Sequence, residues 1–231
     1  ISFIGDWSRV RAIFLLPKKY LSLAATSLLI SSNWTVFIWA INNDHMLDAS
    51  LGYFINPIMN VVLGLVFLNE SISRIKWFAI ALAFIGVLIQ IIQLGSLPWV
   101  SLVLPLSFAF YGLIRKKIKI QALSGFFIET LWVVPVALYY LVYIAQTDTA
   151  NLLNNAGSLN AWLMFAGVVT ALPLIFFAQA ALRLQLSTLG FFQYLAPSLL
   201  FILAVLFYGE SLTLVKSITF IFIWSGILLF V

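Results

Sequence analysis

The chain has no cysteine, one histidine and very little charge. Each scarcity closes off a class of function. Without cysteine there can be no disulfide framework and no thiolate metal site. His45 alone cannot assemble a metal cluster. Charged residues make up 8% of the 231, where a soluble domain carries roughly 25%. Seven acids and twelve bases cannot coat a globule of this size, so a soluble fold is excluded. The sequence has no phosphate-binding glycine loop and no nucleophile–base pair, and no enzyme is expected. Its loops are too short to hold the nucleotide domain of an ATP-driven pump. No cofactor or metal is implied.

Apolar residues supply 64% of the chain, against roughly 45–50% in a soluble protein. A bilayer-crossing helix needs about 20 of them in succession. Eight segments qualify: 20–41, 49–68, 77–94, 97–114, 122–145, 159–182, 186–208 and 212–231. Two of the eight contain a charge, Glu129 in the fifth and Lys216 in the eighth. The fold class is therefore an all-α polytopic membrane protein, with the lipid bilayer as its first partner. Placing the stretch before the first segment in the cytoplasm puts eleven bases on that side, namely Arg9, Arg11, Lys18, Lys19, Arg74, Lys76, Arg115, Lys116, Lys117, Lys119 and Arg183. Only Lys216 falls on the other side. This asymmetry sets the orientation. It also explains the net charge of +5 without nucleic acid.

A repeat organises the segments. Ser50-Leu51-Gly52-Tyr53-Phe54 returns as Thr188-Leu189-Gly190-Phe191-Phe192, Pro57 as Pro197, and Asn69-Glu70-Ser71 as Gly209-Glu210-Ser211. Lys76 then matches Lys216 and Gly86 matches Gly226. The offset is 138 residues at the start and 140 from the proline onward. Equivalent segments lie five apart, an odd number, so the two copies cross in opposite directions. Inverted repeats with a proline at the same point in each half mark a secondary transporter. Residues 1–95 form the first repeat, carrying segments one to three, and 96–231 form the second, carrying segments four to eight. The fourth and fifth segments have no counterpart in the first half. Two further N-terminal helices are inferred to precede the chain, making ten as two inverted five-helix repeats.

The residues also resemble a known family. Asn33-Trp34, Phe37-Ile38-Trp39-Ala40, Asn42-Asn43, His45-Met46 and Ala49-Ser50-Leu51-Gly52-Tyr53-Phe54-Ile55-Asn56-Pro57 are similar to the EamA family of the drug/metabolite transporter superfamily. So are Phe108-Ala109-Phe110-Tyr111-Gly112-Leu113, Arg115-Lys116-Lys117-Ile118 and Leu186-Ser187-Thr188-Leu189-Gly190-Phe191-Phe192-Gln193-Tyr194. The resemblance runs the length of the chain. It implies a multi-pass permease of the bacterial inner membrane, built as two inverted halves around a central cavity, and it fixes no substrate. The departure from the family pattern is the missing N-terminal pair.

Several residues are candidates for the chemistry. Glu129 lies in the fifth segment, and a charge at bilayer depth costs about 2.5–3.5 kcal/mol on insertion scales. It is the candidate proton-coupling residue, or a partner for a cationic substrate group. The structural alternative is a carboxyl that ties helices together near the cytoplasmic end. Trp132, one turn on, could line the same space or simply pack. In the second segment Tyr53, Asn56, Asn60, Gly64 and Phe67 share one face at helical spacing. Pro57 frees a backbone carbonyl there, so Tyr53, Asn56 and Asn60 are substrate-binding candidates. Interhelical hydrogen bonding is the competing reading, worth only about 0.6 kcal/mol on average in a membrane. Gln193 and Tyr194, on the matching seventh segment, are further substrate-binding candidates. Asn33, Trp34 and Trp39 in the first segment could stack and orient a flat ligand, although Trp39 also suits an interfacial aromatic belt. Gln179 occupies the comparable level in the sixth. Glu70 and Glu210 are expected to cap the third and eighth segments or pair with bases.

The leading expectation is alternating access around a midplane site drawn from segments one, two, five, six and seven. It would move a small metabolite or drug-like molecule, with proton coupling as a variant, in a monomer or homodimer. An uncoupled facilitator or exchanger is the runner-up, and a non-transporting receptor or scaffold is the reading from another class.

Overall fold

The computed structural model describes residues 7–146, 157–206 and 213–230. Among these residues every regular element is helical: α1 Trp7–Phe14, α2 Pro17–Asn42, α3 Met46–Leu68, α4 Arg74–Leu94, α5 Trp99–Ile118, α6 Ala122–Ala145, α7 Gly157–Arg183, α8 Leu186–Phe192, α9 Leu195–Leu206 and α10 Leu214–Phe230. Five of them, α2, α3, α4, α6 and α7, are long and apolar enough to cross a bilayer. Large apolar side chains stand exposed along them, among them Val136 and Leu138 on α6 and Trp162, Leu163 and Phe176 on α7. Exposed apolar surface on this scale suits lipid and not water.

The helix ends follow local chemistry. Pro17 opens α2 at the position where a missing N–H costs nothing. The Ser73 hydroxyl caps α4 by accepting from the Lys76 amide. Gly95 closes α4 in the left-handed region at φ 74°. Asn69 and Lys119 turn the chain after α3 and α5 at φ 51° each.

Three segments differ from expectation. The stretch before the first segment contains a helix, α1, whose Val10 and Ile13 are buried. The fourth segment runs on through Arg115-Lys116-Lys117 in α5, so these bases are helical and not loop residues. The seventh segment is divided into α8 and α9 at Gln193-Tyr194. Pro197 provides the reason. It has no N–H to bond the Gln193 carbonyl, and its ring crowds that carbonyl; the Ala196 amide reaches it instead at 3.3 Å.

The described chain forms two compact units. The first holds residues up to Ser31 and Ile114–Arg183, hence α1, the start of α2, the end of α5, α6 and α7. Its core joins Val10, Ile13 and Leu23 to Ile120 and Ile128. The second holds Ser32–Leu113 and the chain from Leu184. There α4 lies along α10 and α3 along α8, around Phe54, Val61, Ala79, Ala83, Phe191 and Ile223. Each unit draws on both sequence halves.

Candidate functional site

In the second unit a cluster of amides forms where α8 ends. The Gln193 side-chain carbonyl accepts from Asn56 Nδ2 at 2.7 Å and from Asn60 Nδ2 at 3.1 Å. Asn60 Nδ2 also donates to the Asn56 backbone carbonyl, 3.1 Å away. Asn56 and Asn60 are 8% and 0% exposed. Asn56 Oδ1, Asn60 Oδ1 and Gln193 Nε2 are buried and lack any hydrogen-bond partner. Leaving such a group unpaired costs about 1–3 kcal/mol. Three together are too many to be incidental packing.

The scaffold around the cluster is tight. Gly190 lets α8 lie directly on α3, since a Cβ there would come within 2.8 Å of the Pro57 carbonyl oxygen. Tyr194, fully buried, donates its hydroxyl to the Phe54 carbonyl at 3.2 Å. Glu70 fixes the other end of α8. Its carboxylate accepts from the backbone amides of Leu186 at 2.6 Å and Ser187 at 3.0 Å, and from the Ser187 hydroxyl at 2.8 Å. Glu70 therefore caps the seventh segment and not the third, which has Ser73. Gly64 makes room for it, since a Cβ there would sit 3.0 Å from the Glu70 carboxyl carbon. Glu210 lies outside the described residues.

The other candidates of this unit stand apart from the amides in their contacts. Asn33 spends its amide hydrogens on the Leu104 carbonyl and the Ser107 hydroxyl, both at 2.8 Å, tying α2 to α5. Trp34 is partly exposed and meets Phe37 edge-on. Trp39 stacks on His45 at 5.2 Å and tilts against Trp99, while His45 Nδ1 lies 2.7 Å from Asp48 Oδ2. Tyr53 is exposed beside Phe37.

In the first unit Glu129 is 3% exposed. One carboxylate oxygen accepts from the Thr26 hydroxyl at 2.6 Å and faces Arg115 Nε at 3.7 Å. The backbone carbonyl of Glu129 accepts from Ser27 at 2.7 Å. Arg115, one of the bases assigned to the cytoplasmic side, is 1% exposed. Its guanidinium packs on Gly125, whose absent side chain leaves the space, and donates to the Ala122 carbonyl at 3.1 Å. Thr26, Ser27, Arg115 and Gly125 were all missed by sequence reasoning. No sequence signal marked them, since a base at the edge of a segment reads alike whether it snorkels to water or turns inward. Trp132 packs on Tyr20, with ring centres 5.0 Å apart, and Gln179 is half-buried. Among the described residues no group of acids and histidines could hold a metal.

Apolar helices enclosing buried amides and a buried ion pair define a multi-pass membrane protein. Comparison with known proteins gives its family. Residues 1–92 match the EamA-like transporter family. An uncharacterized transporter of Vibrio cholerae is 54% identical over 97% of this chain and 74% of its own length. Protein RarD of Escherichia coli K12 is 52% identical over the whole chain and 78% of its own length. The chloramphenicol-sensitive protein RarD of Pseudomonas aeruginosa is 32% identical over 97% and 76%. The chain belongs to the RarD branch of the EamA-like transporters, in the drug/metabolite transporter superfamily. A crystal structure at 13% identity aligns with a TM-score of 0.57 over 97% of this chain and 95% of that one, a likeness of fold alone.

Proposed function

We propose that the protein is a secondary transporter of the bacterial inner membrane, moving a small metabolite or drug-like molecule by alternating access of two inverted halves. Family membership and the transporter names of its relatives support the transporter reading. The observation that carries the site is the buried amide cluster of Asn56, Asn60 and Gln193 at the interruption between α8 and α9. Broken helices are where transporters of inverted-repeat design expose polar groups to a ligand. Tyr194 holds the interruption in place. Asn33, Trp34, Trp39 and Tyr53 are secondary substrate candidates within the second unit in this reading, and Trp132 and Gln179 are separate candidates within the first. The name of the Pseudomonas relative makes chloramphenicol a reasonable first compound to offer.

Glu129 is the proposed coupling carboxyl. Its neighbour Arg115 supports the runner-up, an uncoupled facilitator or exchanger, because a transported proton would have to displace a guanidinium already in place. Uptake of labelled chloramphenicol and amino acids into proteoliposomes, with and without a pH gradient, separates these readings. Gradient-driven accumulation that Glu129→Gln abolishes identifies a proton-coupled carrier. Equilibration without accumulation identifies a facilitator or exchanger. No uptake, with cysteines introduced at 56, 60 and 129 uniformly protected from labelling, leaves a membrane scaffold.

A further inference from the structure

The amide cluster has a definite hydrogen-bonding complement. Asn60 Nδ2 donates to the Asn56 backbone carbonyl as well as to Gln193 Oε1. That backbone contact fixes which way the Asn60 amide faces. Gln193 must then present its oxygen inward, and Asn56 must present its nitrogen to that oxygen. Turning the three amides over would set Asn60 Oδ1 against a carbonyl oxygen. What remains unpartnered is therefore determined: two acceptors, Asn56 Oδ1 and Asn60 Oδ1, and one donor, Gln193 Nε2. None of the three is charged. Glu70, the acid on the loop after α3, is occupied at the far end of α8.

Two acceptors and a donor match a group that offers N–H hydrogens beside a carbonyl. A carboxylate or an ester offers acceptors alone, and an ammonium offers donors alone; each would leave at least one buried partner unpaired, which is what sets specificity in such sites. We infer that Asn56, Asn60 and Gln193 recognise an uncharged carboxamide-type group on the transported molecule. Calling that molecule transported rests on the function proposed above; the recognition itself rests on the cluster.

The test uses four pyridines that differ at one substituent: nicotinamide, methyl nicotinate, nicotinate and 3-(aminomethyl)pyridine. The melting midpoint of the detergent-purified full-length protein is followed with each at equal concentration. Labelled probes are then offered to proteoliposomes beside protein-free vesicles. Nicotinamide alone should raise the midpoint, and Asn60→Ala or Gln193→Ala should weaken that binding about tenfold or more. The near-isosteric Gln193→Glu guards against misfolding. With an unchanged midpoint in the absence of probe, it should lose nicotinamide and gain 3-(aminomethyl)pyridine. Equal shifts by amide and ester, or no shift by nicotinamide in the folded protein, overturn the inference and leave the cluster filled by water. Uptake of a charged or ester probe in preference to nicotinamide overturns it while the transporter reading stands. A nicotinamide shift without uptake upholds the recognition and removes the transporter reading.

Discussion

Arg115 Nε lies 3.7 Å from Glu129 Oε1, and both side chains are buried. A lone buried charge is far costlier than a buried pair. Arg115→Ala should therefore destabilise the protein by about 3–5 kcal/mol, since it removes the guanidinium that faces the buried Glu129 carboxylate. The double variant Arg115→Met, Glu129→Leu should recover most of that loss. With the carboxylate gone, Thr26 can turn its hydroxyl hydrogen to the Leu23 carbonyl, 3.0 Å away. Thermal unfolding in detergent measures the Arg115→Ala loss, and Arg115→Met, Glu129→Leu and the double together measure the coupling. A double variant no more stable than Arg115→Met would show that the pair is not the source of the cost.

Gly125 should be sensitive because of Arg115. A Cβ at this position would lie 2.7 Å from the guanidinium carbon, so Gly125→Ala must expel Arg115 from its place against α6. The expected loss is about 1–3 kcal/mol from overpacking. It should nearly vanish in an Arg115→Met background, where the space is free. Equal losses in both backgrounds would mean that Gly125 matters for another reason.

Glu70 caps α8 from a distant part of the chain. The local cap residue, Gln185, makes no side-chain bond to the helix. Glu70→Ala leaves the Leu186 and Ser187 amides without their acceptor and removes a negative charge from a helix start. The combined cost is about 1–2 kcal/mol. Amide hydrogen exchange should accelerate over residues 186–189, with α4 unaffected because Ser73 caps it. Unchanged exchange at 186–189 would show that water replaces the carboxylate without penalty.

Composition and hydropathy were enough to specify a bundle of membrane helices, and the stripe at Asn56 and Asn60 pointed to a face that the structure buries against Gln193. The helix break is absent from the sequence reading, which runs the seventh segment unbroken from 186 to 208. The repeat offset slips by two residues between Phe192 and Pro197, and α8 gives way to α9 at Gln193-Tyr194. Two inserted residues cannot be absorbed by a helix that also carries a proline one turn later. Arg115 was invisible for a different reason. A base at a segment edge looks the same whether it snorkels to water or turns inward. Only the vacancy at Gly125 on the next helix, which hydropathy does not register, decides between them. The same holds for Glu70, whose partners lie 116 and 117 residues away.

Gly86 on α4 and Gly226 on α10 each face the other's helix. A Cβ at Gly86 would meet Ile223 Cγ1 at 2.9 Å and the Thr219 carbonyl at 3.1 Å, while one at Gly226 would meet the Ala79 carbonyl at 2.7 Å. Small residues at such crossings bring helix backbones together. The two sites should nonetheless respond unequally. At Gly86 the approach is less close than at Gly226, 2.9 Å to Ile223 Cγ1 and 3.1 Å to the Thr219 carbonyl, and alanine gains about 1 kcal/mol of helix propensity over glycine. Gly86→Ala should then cost less than Gly226→Ala. At Gly226 the obstacle is backbone, so overpacking of about 1–3 kcal/mol outweighs that gain, and Gly226→Ala should lower the melting midpoint. Leucine at either position should separate α4 from α10 and destabilise strongly. Comparable midpoints for Gly86→Ala and Gly226→Ala would refute the backbone contact as the deciding term.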